Sequence, residues 1–231
     1  MIRFLQNNQF RELDDIDPNM SVLTWLRDRD GKTGTKEGCS SGDCGACTVV
    51  LGELDPSSAD STLRYRAING CITPLGHLHG KQLIVVEDLQ QGIELHPVQQ
   101  AMVDCHGSQC GFCTPGFVMS MFAHHKSHAK PEREAIIESL GGNLCRCTGY
   151  RPILDAAVQM YTPAKEDQFD RSEQQTSSEL ATIRAAGESG SLSGAGRTYM
   201  APRSVQALSQ CLIEHPNARL VAGATDLSLE I

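Results

Sequence analysis

Glu37-Gly38-Cys39-Ser40-Ser41-Gly42-Asp43-Cys44-Gly45-Ala46-Cys47-Thr48 is the stretch on which the reading of this chain turns. Cys39, Cys44 and Cys47 are separated by four and two residues, and Cys71 follows after a longer gap. Four thiolates in that order form the plant-type arrangement that holds a 2Fe–2S centre. A loop that wraps a cluster so closely needs backbone freedom, which Gly38, Gly42 and Gly45 supply. It also needs N–H groups aimed at the sulfurs, because these stabilise the more negative reduced state. Structural zinc also takes four cysteines, but its knuckles usually present two Cys-x2-Cys hooks, a poor match to this triple.

A second set comprises Cys110-x2-Cys113 and Cys145-x-Cys147, so eight of the ten cysteines fall into two groups of four. Cys113 precedes Thr114-Pro115, and Cys147 stands shortly before Pro152. Both pairs therefore lie just ahead of expected helices, whose N-terminal N–H groups and positive dipole end favour an anionic cluster. Spacing alone leaves either zinc or an iron–sulfur centre open at this second site.

The 231 residues are 40% hydrophobic and carry a formal charge of −8. That size fits one to three domains, and no run approaches the ~18 apolar residues of a spanning helix. Met1 to Asn7 lacks the basic flank and apolar core of a secretory signal. A cytoplasmic location is the expectation, and there ten cysteines point to metal rather than disulfides. Without a basic stripe, a nucleic-acid partner is not expected, nor is a membrane.

Residues 1–90 read as a small mixed α/β unit. Ile2 to Gln6 alternates as a strand; Ser21 can cap a helix through Val22, Leu23, Trp25 and Leu26. Further strands are expected at Thr48–Leu51, Leu63–Ile68 and Lys81–Val86. From His96 the period shifts to 3.6, and prolines 97, 115, 131 and 152 each open a helix, giving a four-helix unit over 91–161. Residues 162–196 are rich in Ser, Glu, Gln, Thr and Gly and read as a flexible linker. Residues 197–231 regain a helical stripe at Val205, Leu208, Cys211 and Leu212, but are too few for an independent domain. His124, His125 and His128 are expected on a solvated helix face. Cys105 and Cys211 are expected as small apolar-stripe residues, and Tyr150-Arg151 as either a partner contact or a packing cap.

The complete motif set resembles the molybdenum hydroxylases. The first cysteine loop is similar to that family's ferredoxin loop. Gln109-Cys110-Gly111-Phe112-Cys113-Thr114-Pro115-Gly116 and Gly142-Asn143-Leu144-Cys145-Arg146-Cys147-Thr148-Gly149-Tyr150 are similar to its second cluster domain. The likeness covers about residues 1–161, and Leu220-Val221-Ala222-Gly223-Ala224-Thr225-Asp226-Leu227 resembles the loop that opens the family's FAD domain. Ala224 stands where that loop often has glycine. This order of parts favours the small subunit of bacterial xanthine dehydrogenases within the family.

The resemblance implies an α+β architecture: a β-grasp ferredoxin domain, a four-helix 2Fe–2S domain, the linker and the start of an FAD-binding domain. It implies one cluster on Cys39, Cys44, Cys47 and Cys71 and another on Cys110, Cys113, Cys145 and Cys147. Gln109 and Cys147 would lie at a molybdopterin held by a large partner subunit. Electrons from purine hydroxylation would pass through both clusters to FAD and then to NAD, in a heterotetramer of two small and two large chains. A chain ending at Ile231 would lack most of the FAD domain and would not be expected to retain the flavin. Catalytic residues for the hydroxylation step are expected on the partner, none on this chain.

Overall fold

The computed structural model describes residues 1–58, 62–162, 166–185, 190–223 and 226–230. Strands β1 (Ile2–Gln6), β2 (Gln9–Leu13), β3 (Thr48–Leu54), β4 (Leu63–Asn69) and β5 (Gln82–Ile84) form one sheet in the order β2-β1-β5-β3-β4. β1 and β5 are parallel and every other neighbour is antiparallel. A hairpin, a helix, a second hairpin and a returning strand beside the first make this the β-grasp arrangement. β2, with a half-polar sequence, had no periodicity to betray it; it is an edge strand that pairs only with β1.

Helix α1 (Val22–Asp28) begins where Ser21 Oγ accepts the Thr24 N–H at 3.1 Å. It covers one face of the sheet, where Trp25 meets Phe4 edge-on at 5.6 Å among Val49, Leu51, Leu75 and Leu83. β3 is apolar at successive positions because both of its faces are buried. Val49 and Leu51 join that core, while Val50 joins the one beneath the helices.

On the opposite face pack α2 (Pro97–Asp104), α3 (Thr114–Ser127), α4 (Arg133–Leu140) and α5 (Arg151–Gln159). Phe117, Met121, Phe122, Ile136, Ile153 and Ala156 make the centre of this core, and α3 lies directly against β3 and β4. Three of the four helices have proline in the first turn, as the sequence indicates; in the other, Pro131 precedes the helix by two residues.

The stretch expected as a linker is corrected by the structure. Residues 168–185 form α6 (Gln168–Ala185), whose Phe169 meets Phe122 at a tilt, with ring centroids 5.0 Å apart, and whose Leu180 and Ile183 cover Leu5. Five buried side chains in 18 residues, Phe169, Thr176, Ser177, Leu180 and Ile183, suffice because the helix needs only a narrow buried stripe; composition averaged over the stretch hides it. Strand β6 (Gly190–Gly194) also falls within that stretch and pairs with β7 (Arg197–Ala201). Leu192 and Tyr199 of this hairpin pack on the ferredoxin-like core. Helices α7 (Val205–Glu214) and α8 (Leu227–Glu230) contain no buried residue. Among the described residues no helix is long and apolar enough to cross a membrane.

The histidines of α3 are a second correction. His128 is exposed, but His124 is only 3% exposed and stacks on His128 at 4.2 Å, with Tyr161 edge-on at 6.3 Å. His125 is half-buried beside His96 and Tyr161. The triple of histidines spans more than one face of the helix: Tyr161 lies against both His124 and His125, and His96, the cap of α2, against His125. Burial holds His124 near pKa 4, reinforced by the charges of His128 and His125.

Candidate iron–sulfur sites

The first four cysteines lie around the start of β3, three on the loop between α1 and β3 and Cys71 just beyond β4. Cys47 is buried at the mouth of β3, and Cys71, beyond β4, reaches it with sulfurs 3.3 Å apart. Cys39 and Cys44 form the outer pair. Cys39 Sγ accepts N–H groups from Ser41 (3.4 Å), Asp43 (3.3 Å) and Cys44 (3.4 Å). Burial opposes ionisation of Cys39, but the Ser41 hydroxyl and these amides outweigh it and hold the thiol at about 6. The hydrogen bond shared by Cys47 and Cys71 lowers the former and raises the latter.

Two glycines make this loop possible. A Cβ on Gly38 would sit 2.7 Å from Cys44 Sγ, inside the cradle itself. Gly45, at φ +70°, lies so close to the 142–143 backbone that a Cβ would meet the Gly142 carbonyl oxygen at 2.4 Å.

The second four lie at the top of the helical unit. Cys113 is the residue before α3, and Cys147 stands on the turn before α5. Cys145 is buried and faces Cys113, whereas Cys110 and Cys147 are exposed and face each other. Burial raises Cys145, but the Thr148 hydroxyl at 3.2 Å and N–H groups of Thr148 and Cys147 bring it to about 7. Burial and the hydrogen bond to Cys145 push Cys113 up to about 12. Tyr150, at φ +68°, turns back so that its hydroxyl accepts the Cys145 N–H at 2.9 Å, and its ring meets Phe117 at 6.2 Å. Tyr150 is thus a support for the ligand turn, half of the role left open by sequence.

Both sites have the chemistry a binuclear cluster requires. The sulfurs gather two by two: Cys47 with Cys71, Cys113 with Cys145, Cys110 with Cys147. One thiolate pair per iron is the ligand count of a 2Fe–2S centre. Among the described residues no three His, Cys, Asp or Glu side chains converge for a single metal ion. Cys39, Cys44, Cys47 and Cys71 would hold one cluster, and Cys110, Cys113, Cys145 and Cys147 the other.

The two sites meet along a buried seam that sequence did not reveal. Leu144 N–H donates to the Cys44 carbonyl at 3.0 Å, which joins the residue before Cys145 directly to a cysteine of the other set. Asn143, 4% exposed, donates through Nδ2 to the Gly45 carbonyl (3.0 Å) and Thr48 Oγ1 (3.2 Å), and accepts from Ser120 Oγ (2.6 Å). Gly116 admits this contact, since a Cβ there would stand 2.1 Å from the Gly45 oxygen.

Other residues singled out by sequence are more scattered. Gln109 is exposed beside Cys110. Leu220, Val221, Ala222 and Gly223 are exposed, Asp226 is exposed and Leu227 begins α8; Ala224 and Thr225 lie outside the described residues. Cys105 packs partly against the helical core and donates to Gln159 Oε1 at 3.0 Å. Cys211 is half-buried on α7.

Comparison with known proteins agrees with this geometry. A 2Fe-2S iron-sulfur cluster binding domain matches residues 6–75, and a 2Fe-2S binding domain matches residues 85–158. Aldehyde oxidase 1 of Rattus norvegicus is 46% identical over 154 residues, 66% of this chain and 11% of the relative. Xanthine dehydrogenase of Emericella nidulans is 48% identical over 162 residues, 70% of this chain and 12% of the relative. The chain thus spans about a tenth of the length of these curated relatives. The crystal structure of quinoline 2-oxidoreductase from Pseudomonas putida 86 superposes with a TM-score of 0.58 at 30% identity, covering 77% of this chain and 95% of that one. With two cluster domains in the same order and such relatives, the chain belongs to the molybdenum hydroxylase family, as an iron–sulfur electron-transfer module of the xanthine dehydrogenase and aldehyde oxidase type.

Proposed function

We propose that this chain is the electron-transfer part of a xanthine dehydrogenase small subunit, relaying single electrons between a molybdopterin site on a large partner chain and a flavin. When bound, each 2Fe–2S centre supplies a one-electron store, and the flavin converts single electrons to the hydride that NAD accepts. The observation that carries the reading is the seam: the Cys44 carbonyl and the Leu144 N–H tie the two thiolate sets together inside the protein.

The chain's own residues divide the remaining tasks. Cys110 and Cys147 form an exposed edge flanked by Gln109, Phe112 and Leu144. Such an edge suits docking on the pterin-bearing partner, with Gln109 and Cys147 at the contact. Residues Leu220 to Leu227 would contribute to an FAD loop, with Gly223 at φ +76° providing the turn. The assembly would be a cytoplasmic heterotetramer of two small and two large chains. Because substrate would be held by the partner, the same module also suits a family member acting on aldehydes, N-heterocycles or a hydroxybenzoyl thioester.

Anaerobic purification followed by iron, acid-labile sulfide and EPR analysis tests the cluster assignment. Four irons per chain and two distinct signals after reduction are expected; zinc with little iron would overturn it. Turnover of hypoxanthine or xanthine by the chain with its large partner tests the substrate, and activity on aldehydes or quinolines alone would reject the purine reading.

A further inference from the structure

The seam between the two sites depends on one side chain with no place in either ligand set. Asn143 is buried, and both ends of its amide are used: Oδ1 accepts from Ser120 on α3, while Nδ2 donates to the Gly45 carbonyl and to Thr48 Oγ1. Thr48 Oγ1 in turn donates to that same Gly45 carbonyl at 2.7 Å. Three elements therefore meet on one amide: the first cysteine loop, the first residue of β3 and the middle of α3. Next in sequence, Leu144 donates its N–H to Cys44. Packing at this point is backbone on backbone, because Gly45 and Gly116 leave no side chain between the segments. Glycine contacts define how near the segments can come, but contribute no directional bond. Directional bonds come from the Leu144 N–H and, among side chains, from Asn143.

We infer that Asn143 is a positioning residue, which latches the 39–47 loop to the 142–147 loop and so fixes the separation of the two cysteine sets. The inference rests on the cluster reading for its consequence in electron transfer, but the latch itself is a property of the polypeptide. An apolar residue of similar size leaves the Gly45 carbonyl with only the hydroxyl and N–H of Thr48, both from its own loop, and the Ser120 hydroxyl without its acceptor, and a buried polar group stripped of its partner favours opening. A relaxed seam lets the Leu144 N–H leave the Cys44 carbonyl without disturbing either set of four sulfurs.

The experiment compares the native protein with Asn143→Leu and, as a milder change that conserves volume, Thr48→Val. Three quantities are read on anaerobically purified protein: iron and sulfide content, Leu144 amide exchange in the oxidised state, and EPR splitting between the two reduced centres. Both variants are expected to keep four irons and native individual g-values. Leu144 exchange should accelerate about tenfold or more in Asn143→Leu and severalfold in Thr48→Val, as local opening becomes easier. The splitting, which reports the distance and path between centres, should weaken or broaden in the same order. Unchanged exchange and splitting in a folded Asn143→Leu protein would overturn the inference. If that variant does not fold, native exchange and splitting in Thr48→Val would do so. Absence of iron from the native protein would instead reject the cluster reading, while the exchange result would still judge the latch.

Discussion

Replacing Gly116 with alanine tests the tightest contact in the molecule. In an ordinary helix first turn the change would be neutral or would stabilise by up to about 1 kcal/mol, because alanine has the higher helical propensity. Here the added Cβ would stand 2.1 Å from the Gly45 oxygen, 3.1 Å from its carbonyl carbon and 3.2 Å from the Ala46 Cα. All three are backbone atoms, so no side chain can swing aside, and the cysteine loop and α3 must part by roughly an ångström. Overpacking of this kind costs about 1–3 kcal/mol. The separation also stretches the 3.0 Å bonds that Asn143 Nδ2 and Leu144 N–H make across the seam, which adds a cost of similar size. With the helical gain subtracted, a net loss of about 2–4 kcal/mol is expected. Gly142→Ala is the matched control: it lies in the same seam, but its Cβ would meet nothing within 4 Å, so it should stay within about 0.5 kcal/mol. Urea unfolding of anaerobic protein, followed by circular dichroism and visible absorbance, gives both values from the midpoints at unchanged slope. A Gly116→Ala protein as stable as the native one would show that the seam is not closed as described.

Three further outcomes are expected. Cys47→Ser should abolish one EPR signal and leave the other, because the two sets of four cysteines lie on different elements; loss of both signals would refute that independence. Phe169→Ala should cost about 3–5 kcal/mol and release α6, since the ring is 1% exposed against Phe122. Proteolysis within 168–185 would then accelerate, and equal rates would mean that α6 does not depend on this anchor. His124→Phe should flatten the acid limb of the stability curve. Its folded pKa of about 4 lies below the unfolded value of about 6.5, so the neutral ring contributes stability that is complete above that upper value and lost as pH falls toward 4. Of the order of 2 kcal/mol should disappear from the difference between pH 7 and pH 4 in the variant, and an unchanged limb would show that His124 does not titrate there.

The two groups of four cysteines were legible in the chain because a metal centre would impose spacing on sequence: thiols on short, glycine-bearing loops stand at fixed intervals however the rest packs. The helices and most strands were legible for a similar local reason, through prolines in first turns and through alternation on one buried face. α6 escaped because its apolar side chains are few and widely spaced, and only Phe122 against Phe169 and Leu5 against Leu180 and Ile183 make them sufficient. The burial of His124 escaped because a histidine carries the same letter on a wet face and a covered one.

By itself, then, the sequence determined which eight sulfurs could hold metal and which segments would coil or extend, since both are set by neighbours a few residues away. Tertiary structure alone decided that the two sites share a seam. Gly45 with Thr48, Gly116 with Ser120, and Asn143 come from three stretches far apart along the chain, and only packing the helices onto the sheet brings their backbones and amides into contact.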